Sequence, residues 1–242
     1  MTDLLTISGL TRRFGGLTAV DAVSFSVNRG EVVALLGPNG SGKTTVLNMI
    51  SGHLPPSGGT IALSDEMISG LSPNRIALKG VARTFQLVRG LPSLTVAENV
   101  IASLAFGHRK LWGAAARTEA LARLEEVGLA HRADQSAQDL TYIDQKRMEL
   151  ARALAAEPEL LLLDEWLAGL NPTELRTGIE LIQSLKGRGI TVLLVEHVMD
   201  AVRALCDRCV VMNAGRKIAD GPTEKALSHP DVVTAYLGGG HA

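Results

Sequence analysis

The stretch Gly37-Pro38-Asn39-Gly40-Ser41-Gly42-Lys43-Thr44 constrains this chain more than any other. It matches the phosphate-loop pattern G-x-x-x-x-G-K-[ST]. Glycines let successive backbone N–H groups turn inward around phosphate oxygens. The helix that follows presents its positive end to the anion. Lys43 then reaches the β- and γ-phosphates, and the Thr44 hydroxyl is placed to ligate Mg²⁺. Thr45, next on the helix, is grouped with the binding residues. A chance glycine-rich turn is the alternative. Against it, the apolar run Glu31 to Leu36 precedes the loop and a helix is expected from Gly42 to Ile50, the strand–loop–helix context the motif requires.

The rest of the chain reads as alternating strands and helices. Strands are expected at Leu4–Leu10, Val20–Val27, Glu31–Leu36, Thr60–Leu63, Val81–Phe85, Leu160–Leu163, Thr191–Val195 and Arg208–Asn213. Helices are expected from Ser72-Pro73, at Gln145–Ala156, Pro172–Lys186 and Val198–Leu205, and twice after Pro222. Between about Leu87 and Leu140 no strand is expected. There Thr95-Val96-Ala97-Glu98 is a capping box opening a helix toward Ala105, and Ala114–Val127 is a second helix ended by Gly128. The pattern is a largely parallel sheet covered on both faces, with a helical insert.

Composition removes several function classes. Net charge is -1, pI about 6.6 and aromatic content 3%, which speaks against binding nucleic acid or an anionic membrane surface. No apolar run reaches 18 residues, and the first residues lack the features of a signal peptide. A cytosolic protein is expected, so any membrane role needs other chains to hold it there. Cys206 and Cys209 form a lone C-x-x-C, read either as a redox or metal site or as core filling at a helix-to-strand junction.

Further residues stand where nucleotide chemistry would need them. Asp164-Glu165 follows the apolar run Leu160–Leu163. Asp164 suits a magnesium carboxylate and Glu165 a group that orients or deprotonates water, the alternative being a solvated acidic turn. His197 and Gln86 end other expected strands, and each alone is readable as structural.

Taken in order, these residues resemble the nucleotide-binding subunits of ATP-binding-cassette transporters. The likeness rests on Gly37–Thr44, Gln86, the helical insert, Leu140-Thr141-Tyr142-Ile143-Asp144-Gln145 at the signature position, Leu163-Asp164-Glu165 and His197. It implies an α/β fold, a P-loop NTPase domain of that type with an inserted helical subdomain and an N-terminal antiparallel β subdomain. One domain would span 1–242, its core being 1–86 and 145–242 and its helical part 87–144. ATP and Mg²⁺ would be the ligands, with Thr44, Gln86 and Asp164 toward the metal. Glu165, His197 and Gln86 would serve hydrolysis. Phe14 would lie against adenine, although Phe14 as core is also open. Thr141 and Ile143 would reach ATP held by a second ATPase subunit. Two transmembrane permease subunits and a periplasmic solute-binding protein would complete the system at the cytoplasmic face of the inner membrane.

Within the family the likeness is greatest to branched-chain amino acid transport ATPases. Phe14–Val20, Ala168–Glu174 and the ending His229–Gly238 carry it. Other readings remain: a low-turnover partner in an asymmetric heterodimer, or a soluble cassette ATPase outside transport. Departures motivate the first. Tyr142, Ile143 and Asp144 replace the usual glycines and glutamine, Trp166 replaces a proline, and Asn171 stands where aspartate is common. A positive φ at Ile143 would be strained.

Overall fold

The computed structural model describes residues 2–237. Gly238, the last residue of the C-terminal stretch quoted above, lies outside them. Two sheets organise the chain. The first is antiparallel, in the order β2-β1-β4-β5. It is built from β1 (Asp3–Phe14), β2 (Leu17–Asn28), β4 (Gly58–Leu63) and β5 (Glu66–Met67). The turn between β1 and β2 is Gly15-Gly16, as the sequence indicates, but both strands run longer than the apolar alternation marks.

The second sheet has the order β10-β9-β3-β8-β7-β6. Its strands are β3 (Val32–Leu36), β6 (Val81–Arg83), β7 (Leu160–Asp164), β8 (Thr191–Val195), β9 (Arg208–Asn213) and β10 (Arg216–Pro222). All neighbours are parallel except the edge strand β10. β3 and β7 are buried along their whole length. Their side chains alternate between two cores. Val32, Ala34, Leu36, Leu161 and Leu163 join one, while Val33, Leu35, Leu160 and Leu162 join the other. Each such leucine contributes about 1.5–3 kcal/mol by burial, which is why these strands read as unbroken apolar runs.

The core holding Val33 and Leu35 also takes the antiparallel sheet and α1 (Lys43–Ile50). The other takes the helical insert, formed by α3 (Val96–Phe106), α4 (Gly113–Glu126) and α5 (Tyr142–Ala155). The Thr95–Glu98 capping box has both its hydrogen bonds. Among the described residues the insert contains no strand, only an isolated bridge from Thr95 to Ser136. α2 (Pro73–Leu78), α6 (Pro172–Gly187), α7 (Met199–Leu205), α8 (Thr223–Leu227) and α9 (Pro230–Leu237) complete the chain.

Two expected boundaries move. The strand Val81–Phe85 ends at Arg83, so Gln86 sits in the loop beyond it. The helix expected to start at Gln145 starts at Tyr142, because the Thr141 hydroxyl accepts from Asp144 N and caps it. The 144/145 division therefore falls inside α5.

Candidate active site

Four neighbouring parallel strands, β3, β8, β7 and β6, bring the expected residues to one edge of the sheet. Gly37 follows β3, Asp164 ends β7, and His197 and Gln86 lie just past β8 and β6. Ligand sites in open α/β sheets form at the carboxyl ends of strands.

The loop leaves β3 under tight constraint. Gly37 has φ +145°, and a Cβ there would stand 2.1 Å from Met212 O. A Cβ on Gly42, at φ +103°, would meet Ala19 O at 2.6 Å. Both positions therefore require glycine. Gly42 is the N-cap of α1 and makes no side-chain cap, which leaves the first N–H groups of the helix available. Lys43 Nζ folds back on the loop, donating to Gly37 O at 2.7 Å and Pro38 O at 3.0 Å. Burial lowers its pKa, opposed by the charges of Glu165 and Asp164. Asn39, Gly40, Ser41, Gly42, Lys43, Thr44 and Thr45 line a cavity of about 180 Å³ together with Ala19 and Glu165. Ser41 Oγ is buried there with no hydrogen-bond partner. An anion in the cavity would supply one.

Glu165 faces this cavity from the other side. Its backbone is left-handed, φ +51°, and its N–H donates to Val195 O. Gln86 Nε2 donates to its Oε2 at 2.7 Å, and His197 Nε2 lies 2.9 Å from its Oε1. Gln86, Glu165 and His197, expected from three separate strand ends, thus meet in one hydrogen-bonded triplet. Asp164 Oδ2 accepts from Arg83 Nη2 at 2.7 Å. Thr44, Asp164 and Gln86 offer oxygen donors, which a hard cation such as Mg²⁺ prefers. Among the described residues no three His, Cys, Asp or Glu side chains converge on a point.

Phe14 ends β1, is 43% exposed, and carries the Arg12 guanidinium 4.7 Å from its ring centre. The core reading of Phe14 is therefore wrong. Thr141 and Ile143 lie at the start of α5 and do not line the cavity. Ile143 is helical and absent from the left-handed residues, so the strain considered for it does not arise.

The other departures have structural reasons. Trp166 is buried and exchanges hydrogen bonds with Lys146. Its Nε1 donates to Lys146 O at 3.2 Å, and Lys146 Nζ donates to Trp166 O at 2.8 Å. Lys146 Nζ also reaches Glu165 O and Ala168 O, so one buried ammonium fixes the loop after β7. The Asn171 side chain caps α6, accepting from Thr173 N and Glu174 N, both at 3.0 Å. Cys206 and Cys209 are free and buried, and burial raises both thiol pKa values, as suits core filling.

Three contacts escape the sequence reading. Arg83 holds Asp164, and the signal for it was a lone charge in an otherwise apolar strand. Glu196 is buried and accepts from Leu167 N at 2.7 Å. Tyr236 on α9 accepts from Gly37 N at 3.0 Å. No local pattern marks that last partnership.

The family profile described as ABC transporter matches residues 20–168. The chain belongs to the ABC transporter family. A second profile, described as branched-chain amino acid ATP-binding cassette transporter, matches residues 216–242. The chain is 43% identical to the high-affinity branched-chain amino acid transport ATP-binding protein LivG of Escherichia coli, over 97% of this chain and 98% of that protein. It superposes on the ADP conformation of an ATP-binding cassette of an ABC transporter with TM-score 0.89 and 32% identity, covering 98% and 100% of the two chains. A dimeric post-hydrolysis cassette bound to ADP and Pi gives TM-score 0.82 and 26% identity, covering 90% and 98%. As an ABC ATPase, this chain binds and hydrolyses ATP to energise a membrane transporter. Among its described residues no helix is long and apolar enough to cross a membrane.

Proposed function

We propose that this chain is the ATP-hydrolysing subunit of an importer for branched-chain amino acids or related small polar solutes. The observation that carries the cargo class is the second family match, over residues 216–242. That segment includes β10, α8 and α9, which lie outside the phosphate loop and catalytic motifs common to all such ATPases.

ATP lies along Gly37–Thr45, its phosphates against the loop N–H groups and Lys43, with Phe14 exposed for the base. Lys43 exchanges its two backbone carbonyls for phosphate oxygens. Thr44, Asp164 and Gln86 would hold Mg²⁺, which would supply charge neutralisation at the phosphates. Glu165 takes the proton of the attacking water or orients it. His197 and Gln86 fix the two carboxylate oxygens. A second ATPase subunit closes so that Thr141, the N-cap of a 14-residue helix, and Ile143, in its first turn, come toward the ATP held opposite.

A groove of about 570 Å³ opens between the core and the helical insert, with Phe85, Leu91, Ala102 and Phe106 on its walls. Phe106 and Trp112 are exposed and stack edge to face. Exposed aromatics beside an apolar groove suit a short helix of a permease subunit. Gln86 lies in the loop between this groove and Glu165, so docking and hydrolysis share a segment.

The test is purification of the tagged chain from gently solubilised membranes, followed by vesicle reconstitution with the neighbouring solute-binding protein. Recovery of polytopic permeases and a second ATPase, with ATP hydrolysis stimulated by leucine, isoleucine or valine, supports the proposal. Recovery of soluble partners only removes the membrane assignment. Stimulation by other solutes only removes the cargo.

A further inference from the structure

Arg83 is the last residue of β6, and its side chain is only 5% exposed. Its guanidinium spans two parts of the active site. Nη2 donates to Asp164 Oδ2 at 2.7 Å, while Nη1 donates to Asn48 Oδ1 at 2.7 Å and Ser51 Oγ at 2.9 Å. Asn48 lies on α1 and Ser51 caps its end, and α1 begins with Lys43 and Thr44. One side chain therefore ties the strand carrying Asp164 to the helix of the phosphate loop. The Asp164 side chain is 4% exposed, and a carboxylate so buried requires fixed hydrogen-bond donors.

The requirement is specific to arginine. A planar fork can bond Asp164 through one terminal nitrogen and α1 through the other, which a lysine ammonium cannot do in the same geometry. Arg83 also forms part of the floor of the groove beside Phe85, whose ring centre is 5.0 Å from the guanidinium.

We propose that Arg83 is a positioning residue for the ATPase reaction. It holds the Asp164 carboxylate in one orientation through Oδ2 and ties it to the helix of the phosphate loop. This rests on the reading of Asp164 as the magnesium carboxylate.

The experiment uses the purified full chain and a fluorescent ATP analogue, with binding followed as Mg²⁺ is titrated and again in EDTA. Arg83→Met is expected to raise the Mg²⁺ concentration for half-maximal enhancement by about 10–100-fold, the usual effect of removing the partner that orients a metal ligand. Affinity in EDTA is expected to stay within about twofold of wild type, because Lys43 and the loop N–H groups remain. Arg83→Lys is expected to show a smaller shift in the same direction. It also keeps the test decisive if Arg83→Met fails to fold. Asp164→Asn serves as the reference. If it raises the Mg²⁺ requirement while both Arg83 variants leave it unchanged, the proposal is overturned and Asp164 keeps its role. If Asp164→Asn itself leaves the requirement unchanged, the reading of Asp164 falls and the proposal with it. Equal losses with and without Mg²⁺ in the Arg83 variants would assign Arg83 to fold stability alone and also overturn it.

Discussion

Glu165 combines two roles that pull on its backbone and its side chain. A left-handed non-glycine residue costs on the order of 1–3 kcal/mol, and here the bond from Glu165 N to Val195 O and the Lys146 bond to Glu165 O hold it in place. The carboxylate then reaches between Gln86 and His197. Replacing it with glutamine keeps the shape and removes the proton acceptor. Glu165→Gln is expected to lower kcat for phosphate release by about 10²–10⁴-fold while nucleotide binding persists. Unchanged turnover would remove Glu165 as the base. Glu196, which directly precedes His197, has a different fate. Burial raises its pKa above the ordinary 4.5 despite hydrogen bonds from Leu167 N and His197 N. The unfolded chain thus loses this proton near pH 4.5 while the folded chain retains it to higher pH. Stability from this group falls as pH rises from about 4.5 to the raised folded value. Glu196→Gln is expected to flatten that fall, read as the urea midpoint against pH. An identical pH slope in the variant would show that Glu196 is not its source.

Among the elements, those buried on both faces were the most legible. β3, β7 and β8 announce themselves as short apolar runs because nothing polar is tolerated on either side. The phosphate loop, Asp164, Glu165 and His197 lie at or just past the ends of these strands, so their positions in the sheet are legible with them. Elements whose limits depend on caps or distant partners were harder. The true start of α5 rests on Thr141 capping a turn whose residues, Tyr142, Ile143 and Asp144, give little helical signal. β10 is half exposed and exists as an edge partner of β9, so its own residues barely mark it. Asn171 stands in the sequence only as a departure from the common aspartate, and its capping role emerges with α6 folded. Asn171→Ala is expected to cost about 1 kcal/mol in chemical denaturation, since Thr173 N and Glu174 N lose their acceptor. A change under about 0.3 kcal/mol would mean that water replaces the cap at no cost.

At the scale of the whole molecule, the nucleotide should act as a structural member. The loop contacts β9 through Met212 and α9 through Tyr236, so filling the cavity braces segments far apart in sequence. Saturation at about 100 times Kd adds roughly 2.7 kcal/mol, or about 5–10 °C in Tm for a chain of this size. Lys43→Ala is expected to abolish most of that increment without lowering the Tm of the nucleotide-free protein by a comparable amount. A full increment in the variant would show that the loop binds ATP without its lysine.

The strand order has a consequence for how the protein is made. β3 sits between β8 and β9, which begin at Thr191 and Arg208. A ribosome therefore releases the central strand long before either of its neighbours has been translated. Gly37 and Tyr236 are 199 positions apart. At about 5–20 residues per second the loop waits roughly 10–40 s for its last partner. Through that interval the nascent chain carries five apolar residues of β3 with no sheet to join, and a nucleotide site that cannot yet close. A chain truncated before α9 would carry a phosphate loop without its Tyr236 tether.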